Sequence, residues 1–167
     1  MHSSDHDGVL IGTWMIEFDV IGEPKPQGSK RQVPIRNRDG RIVQKDGRDL
    51  TRIVEDNPRL PQWKQEIAQA ARDVYRGILL EGPLELTLTF YRPRPVTHFG
   101  TGRNTGVLKV SAPLHPTQRP DTLKLARAVE DALTGVIWRD DAQVVGHHLS
   151  KRYGEYFRVS VRIKRPE

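Results

Sequence analysis

Residues 84–91 alternate Leu84, Leu86, Leu88 and Phe90 with Glu85, Thr87, Thr89 and Tyr91, the period-two signature of a strand with one buried face. Residues 14–21 alternate enough to form another strand. Two stretches follow a helical rhythm instead. Over residues 60–75, Trp63, Ile67, Ala70, Ala71 and Val74 make an apolar stripe, and Pro61 suits the first turn, where its missing N–H costs nothing. After Asp121, at the start of the second stretch, Leu125, Ala128, Val129, Ala132 and Leu133 recur at i, i+3, i+4, i+7 and i+8. Thr134-Gly135 supplies a stop, since glycine adopts the left-handed cap cheaply.

The segments between are of two kinds. Residues 23–52 are rich in Pro, Gly and Arg, with short strands expected at 32–36 and 41–44 around the turn signal Arg38-Asp39-Gly40. Residues 92–118 have no periodicity and read as a long surface loop, a type that is usually functional or disordered. After the second helix, residues 142–150 and 156–164 are expected to pair antiparallel, turning near Tyr153-Gly154. The pattern predicts an α+β fold: one small domain, with a mixed or antiparallel sheet packed against two main helices. Residues 1–13 read as a flexible leader and 14–167 as the domain.

Composition narrows the partners. Among 167 residues, 27 Lys+Arg face 21 Asp+Glu, a net charge of +6. Residues 23–52 hold nine basic and four acidic side chains, 92–109 four and none, and 142–167 six and two, whereas 119–141 hold four and five. Basic flanks around an acidic centre suit a protein that grips phosphates and concentrates metal at one point. Cysteine is absent, which excludes a disulfide framework or thiolate zinc site and suits a reducing cytosol. No apolar run approaches a membrane span, so a cytoplasmic location is expected.

The acidic centre is Asp121, just before the second helix, and Asp140-Asp141, just after it. A tight return through Val136, Ile137 and Trp138 would bring the pair back beside Asp121, making an oxygen cage for a hard divalent cation. Mg²⁺ is the expected ion, with Mn²⁺ the alternative. The spacing equally fits a structural reading, in which Asp121 caps the helix and Asp140-Asp141 serve a turn. Asp140 and Asp141 would point to opposite faces of a strand, which favours Asp141 over Asp140 as a ligand.

The motifs Arg119-Pro120-Asp121, Asp131-Ala132-Leu133-Thr134 and Asp140-Asp141-Ala142-Gln143-Val144 occur in the order and at the spacing of a known signature. The chain resembles the RusA-type crossover (Holliday) junction endodeoxyribonucleases. Its GEPKPQGSKR stretch, residues 22–31, is similar to the opening of phage-type members, and the resemblance runs from Trp14 to Ile163. It implies a homodimeric, Mg²⁺-dependent endonuclease that resolves four-way DNA junctions by paired nicks, in a bacterial nucleoid or a phage-infected cell. Asp121 and Asp141, with Asp140 third, are the implied metal ligands. Lys124 and Arg127 are alternatives for stabilising transition-state charge on the phosphate. Lys25, Lys30, Arg31 and Arg119 are the expected DNA contacts.

One departure matters. The second acid of the family pattern falls on Leu123, its Asn on Lys124 and its Lys on Arg127. Leu123 lies off the buried stripe, so core packing does not call for it unless it meets a neighbouring loop or partner subunit. A catalytically weak or silent junction-binding protein, and a dimeric structural or regulatory DNA-binding module, are therefore the competing readings. None of the histidines is assigned to catalysis; His147 and His148 face opposite ways on a strand, and His98 and His115 sit in the long loop.

Overall fold

The computed structural model describes residues 14–28, 30–55 and 57–167; the leader expected over residues 1–13 lies outside the described residues. Eight strands and two α-helices follow in order: β1 (Met15–Ile21), β2 (Lys30–Pro34), β3 (Gln44–Lys45), β4 (Arg48–Asp49), β5 (Thr51–Glu55), α1 (Leu60–Val74), β6 (Leu84–Pro93), α2 (Thr122–Leu133), β7 (Val144–Gly154) and β8 (Arg158–Lys164). Four of the strands form the main sheet in the order β1-β8-β6-β7. β8 pairs antiparallel with both β1 and β6, while β6 and β7 run parallel. The α+β class and the mixed sheet expected from the pattern are both present.

The expected antiparallel pairing of the last two strands is corrected. β7 and β8 do run in opposite directions, but β6 is inserted between them. Residues 155–157 cross that strand, and three extended residues span about 10 Å, roughly twice the spacing of neighbouring strands.

Alternation along the strands builds the core. Phe18 and Val20 of β1, Leu84, Leu86, Leu88 and Phe90 of β6, and Val159, Val161 and Ile163 of β8 are buried on one face. Leu60, Trp63, Ile67 and Ala71 of α1 and the Leu125–Leu133 stripe of α2 cover them. Val74, expected in the α1 stripe, is instead half exposed at the helix end. The opposite sheet face stays polar. There the Arg158 guanidinium stacks 3.9 Å from the Tyr91 ring, Arg162 pairs with Glu17, and Lys164 pairs with Glu85 at 3.1 Å. A sheet largely antiparallel can leave one face to water in this way.

α2 ends as the sequence suggests, with Gly135 at φ +77°. The next residues do not return along the helix. Ile137 and Trp138 are driven wholly into the core, with the Trp138 indole N–H donating to Thr134 Oγ at 3.1 Å and Leu80 N–H to Ile137 O at 2.7 Å.

Residues 30–55 form a separate ribbon. β2 pairs with β5, a strand that the sequence pattern does not mark, and the Asp39-Gly40 turn lies beyond an Arg36–Ile42 bridge. β3 and β4 make a second small hairpin through Asp46-Gly47.

Trp138→Ala should destabilise the fold by about 3–5 kcal/mol, the usual cost of emptying a buried aromatic site. Urea unfolding should show a lower midpoint with an unchanged slope; a loss below about 1 kcal/mol would mean that the turn after α2 is not part of the cooperative core.

Candidate active site

α2 begins at a loop that is tied down from the far end of β7. The Lys151 ammonium donates to Gln118 O at 2.8 Å and to Pro120 O at 3.2 Å. Asp121 follows as the extended N-cap residue (φ −68°, ψ 141°), and its carbonyl accepts the first helical bond, from Leu125 N–H at 3.1 Å. Its carboxylate accepts no capping hydrogen bond and is exposed. The side-chain cap open to it on sequence grounds is therefore not formed, and the acid stays available.

Asp121 opens into a hollow of about 550 Å³ lined also by Glu23, Lys25, Arg59, Arg119 and Lys124. The hollow exists because two distant loops meet there. Gln27 N–H donates to Lys124 O at 2.9 Å, and Asn57 Nδ2 to Pro26 O at 3.3 Å. Of the expected DNA contacts, Lys25 and Arg119 reach this hollow, with Lys25 paired to Glu23. Arg31 belongs to β2 on the ribbon, and so does the backbone of Lys30, whose side chain lies outside the described residues. Arg59, at the start of α1, was not signalled by the sequence, because its place is set by the Asn57–Pro26 contact across 31 residues.

Asp140 and Asp141 are placed differently. Asp140 caps a short 3₁₀ turn, Asp141–Gln143, accepting from Ala142 N–H at 2.9 Å. Gln143 completes the capping box: its Oε1 accepts from Arg139 N–H at 3.0 Å and Asp140 N–H at 3.1 Å. Its Nε2 donates to Leu80 O at 2.9 Å and Gly82 O at 3.1 Å. Gln143 thus fixes this corner to the loop before β6. The signal for it was present as Asp140-x-x-Gln143, the spacing of a capping box. Asp140 takes the structural role of the two weighed for it. Among the described residues the Asp141 carboxylate has no hydrogen bond or ion pair, and it is exposed.

The expectation that the return after α2 carries Asp140 and Asp141 back beside Asp121 is corrected for a single chain. Asp121 sits where Lys151 leaves β7, whereas Asp141 precedes Val144, where β7 begins. The seven residue steps from Val144 to Lys151 alone extend about 23 Å along the strand. The helix between the acids adds no return, because Ile137 and Trp138 go inward to the core. Among the described residues no group of three or more His, Asp or Glu side chains converges as a metal cage. A divalent ion bound within one chain would thus lack its expected ligand set.

Leu123 is 75% exposed, so it is not packed beneath a neighbouring loop of its own chain. Arg127 lies one helical turn beyond it on the same exposed face, outside the hollow that Lys124 lines. His147 Nε2 meets Glu130 Oε1 at 2.6 Å, in the last turn of α2. His98 packs edge-on against Tyr153, which also carries the Arg94 guanidinium at 4.1 Å, so residues 92–118 are anchored to the end of β7.

The protein-family model described as Endodeoxyribonuclease RusA matches residues 25–164. The chain belongs to the RusA endodeoxyribonuclease family. It is also 32% identical over 149 residues to an uncharacterized protein, YqaN, of Bacillus subtilis (strain 168), with 89% of this chain and 95% of that protein covered. The RusA match takes in Asp121, both later acids, the ribbon and β6 to β8, so the family pattern spans both ends of α2.

The two N-cap acids should behave oppositely toward stability. Asp140→Ala should lose about 1 kcal/mol with its cap bond, while Asp121→Ala should stay within about 0.5 kcal/mol of the parent. Chemical denaturation of both variants checks this; equal losses would place a cap bond at Asp121 after all.

Proposed function

We propose that the protein is an endodeoxyribonuclease that acts as a homodimer on four-way DNA junctions, making paired nicks with Mg²⁺. The observation that carries this reading is Asp121: an uncapped, exposed carboxylate in a hollow otherwise rich in Lys and Arg. An acid kept unpaired among cations is poorly explained by folding and well explained by a phosphate-cleaving site, where cations seat the backbone and the carboxylate faces the reacting group.

The separation of the acids is explained by the dimer. β7 is an edge strand of eleven residues, and an unpaired edge is a ready surface for a second chain. Antiparallel pairing of β7 with its copy about a two-fold axis sets the end of one strand beside the start of the other. Asp121 of one subunit then faces Asp141 of the partner subunit, with Asp140 of the partner subunit held back by its cap. When bound between them, the ion would polarise the phosphate and lower the pKa of attacking water. Lys124 is better placed than Arg127 to hold the phosphate, since it lines the hollow. Lys25, Arg59 and Arg119 orient the strand. Two equivalent sites about one axis match the two-fold symmetry of a four-way junction, from which paired nicks follow.

Leu123 supports one competing reading, a silent junction-binding protein, because an exposed leucine stands where the family pattern has an acid. Single-turnover cleavage by Leu123→Asp decides between them. An increase without loss of thermal stability indicates a site short of one carboxylate, and no increase over a silent parent indicates a binding protein.

The shared site has a specific signature. Asp121→Asn and Asp141→Asn should each abolish cleavage alone. Mixed and re-equilibrated, they should recover activity, because each heterodimer holds one site with both acids intact, about a quarter of the wild-type sites under random pairing. Recovered cleavage should appear as single nicks. No recovery, with heterodimers confirmed by mass spectrometry, would place both acids of each site in one chain and reject the shared arrangement.

A further inference from the structure

The ribbon of residues 30–55 builds no core. From residue 31 to 54 only Val33, Val43 and Val54 are even partly buried, and no helix or strand of the body packs substantially against it. Five residue pairs of β2 and β5 make its stem, about 17 Å long. Beyond them the chain divides. Val43 bonds across to Ile35 and Leu50, and two tight turns project on either side, one at Asn37–Gly40 and one at Asp46-Gly47. A two-stranded hairpin without a covered apolar face is marginal on its own, so its sequence is not explained by folding.

Its charge points to what it meets. Residues 30–55 carry eight Lys+Arg and four Asp+Glu, a net +4 of the chain's +6, in 26 residues of 167. Arg38, Arg41, Lys45, Arg48 and Arg52 have no ion pair among the described residues, and Asp49 accepts instead from Gln44 Nε2 at 2.7 Å. Arg36 donates to Gly40 O at 2.7 Å, which stiffens the first turn. On the stem, Arg52 lies opposite Val33 and Arg31 opposite Val54, so arginine and valine share one face. Turn arginines with no ion pair among the described residues, on a slender two-stranded arm, match a polyanion whose groove admits a β-ribbon.

We propose that this branched ribbon is a DNA-engaging arm that lies along a duplex arm of the substrate, its turn arginines on the phosphates, separate from the hollow at Asp121. The proposal rests on the junction-nuclease reading and adds a second contact surface to it. Contacts of this kind hold the duplex without reading bases, so they should act on junction and linear DNA alike.

The test compares the full-length protein with Arg38→Ala/Arg41→Ala/Arg48→Ala, all exposed positions outside the hollow. Binding to a four-way junction and to a linear duplex is measured from 50 to 250 mM KCl. Each lost phosphate contact should flatten the plot of log affinity against log salt by about 0.9. The triple variant should thus fall by about two to three in slope on both DNAs and bind on the order of tenfold or more weaker at the lowest salt. The matching Arg→Lys triple variant should keep the slope, which guards against a folding artefact. An unchanged slope in the Arg→Ala triple variant, alongside a wild type that binds and cuts junctions, overturns the arm while leaving the nuclease reading intact. A variant that dissociates in sedimentation yet keeps its slope also overturns it, and assigns the ribbon to the subunit interface. A wild type that binds neither DNA rejects both.

Discussion

The parallel pairing of β6 and β7 decides where the acids that flank α2 lie. Parallel neighbours cannot be joined by a tight turn, so the chain leaving β6 at Pro93 must travel the length of the sheet to start β7 opposite Leu84. α2 makes that journey. Its start is fixed near the exit of the two strands and its end near their entry. Any residues that flank α2 are separated by the length of the crossover. Asp121 and Asp141 are such residues, and a chain built this way presents one acid toward each end of β7.

Local periodicity identified most of the elements. The stripe of α2, the alternation of β6 and the Gly135 stop all appear where the pattern of side chains puts them, because each depends on neighbours within a turn or two. Strand partners were not visible in the same way. β7 and β8 each alternate well enough to pair, but their order is set by which strand fills the gap between them, a contact from some 60 residues away. β5 escaped notice because residues 51–53 are exposed and Val54 is only partly buried, so no alternation marks the strand. The acids followed the same rule. Their motif is continuous in sequence, yet Ile137 and Trp138, which look like a short return, serve as core plugs and carry the chain onward. Arg59 came to the hollow through a loop contact that leaves no trace in spacing.

The two ends of the crossover are secured by the same device. At one end a single ammonium, Lys151, bonds two carbonyls of the loop before α2. At the other a single amide, Gln143, bonds two carbonyls of the loop before β6 and closes a cap with its oxygen. Each tie satisfies backbone groups that α2 and the sheet leave unpaired. Each also leaves the nearby acid, Asp121 or Asp141, outside the bonding scheme. Backbone order at these corners is thus maintained without drawing on the Asp121 and Asp141 carboxylates, and Asp140 is the one acid of the three whose carboxylate bonds the backbone.

The stem between β2 and β5 has a bearing on how such proteins diversify. Its two strands enter and leave the body side by side, so whatever lies beyond them is a loop already closed at its base. Lengthening a closed loop is inexpensive: each doubling adds only about 0.6 kcal/mol of closure entropy. Residues 35–50 can therefore be extended, trimmed or exchanged over generations with little effect on the core beneath. Changes of length there leave the crossover and the corners that hold Asp121 and Asp141 as they are, since those corners rest on contacts within the body.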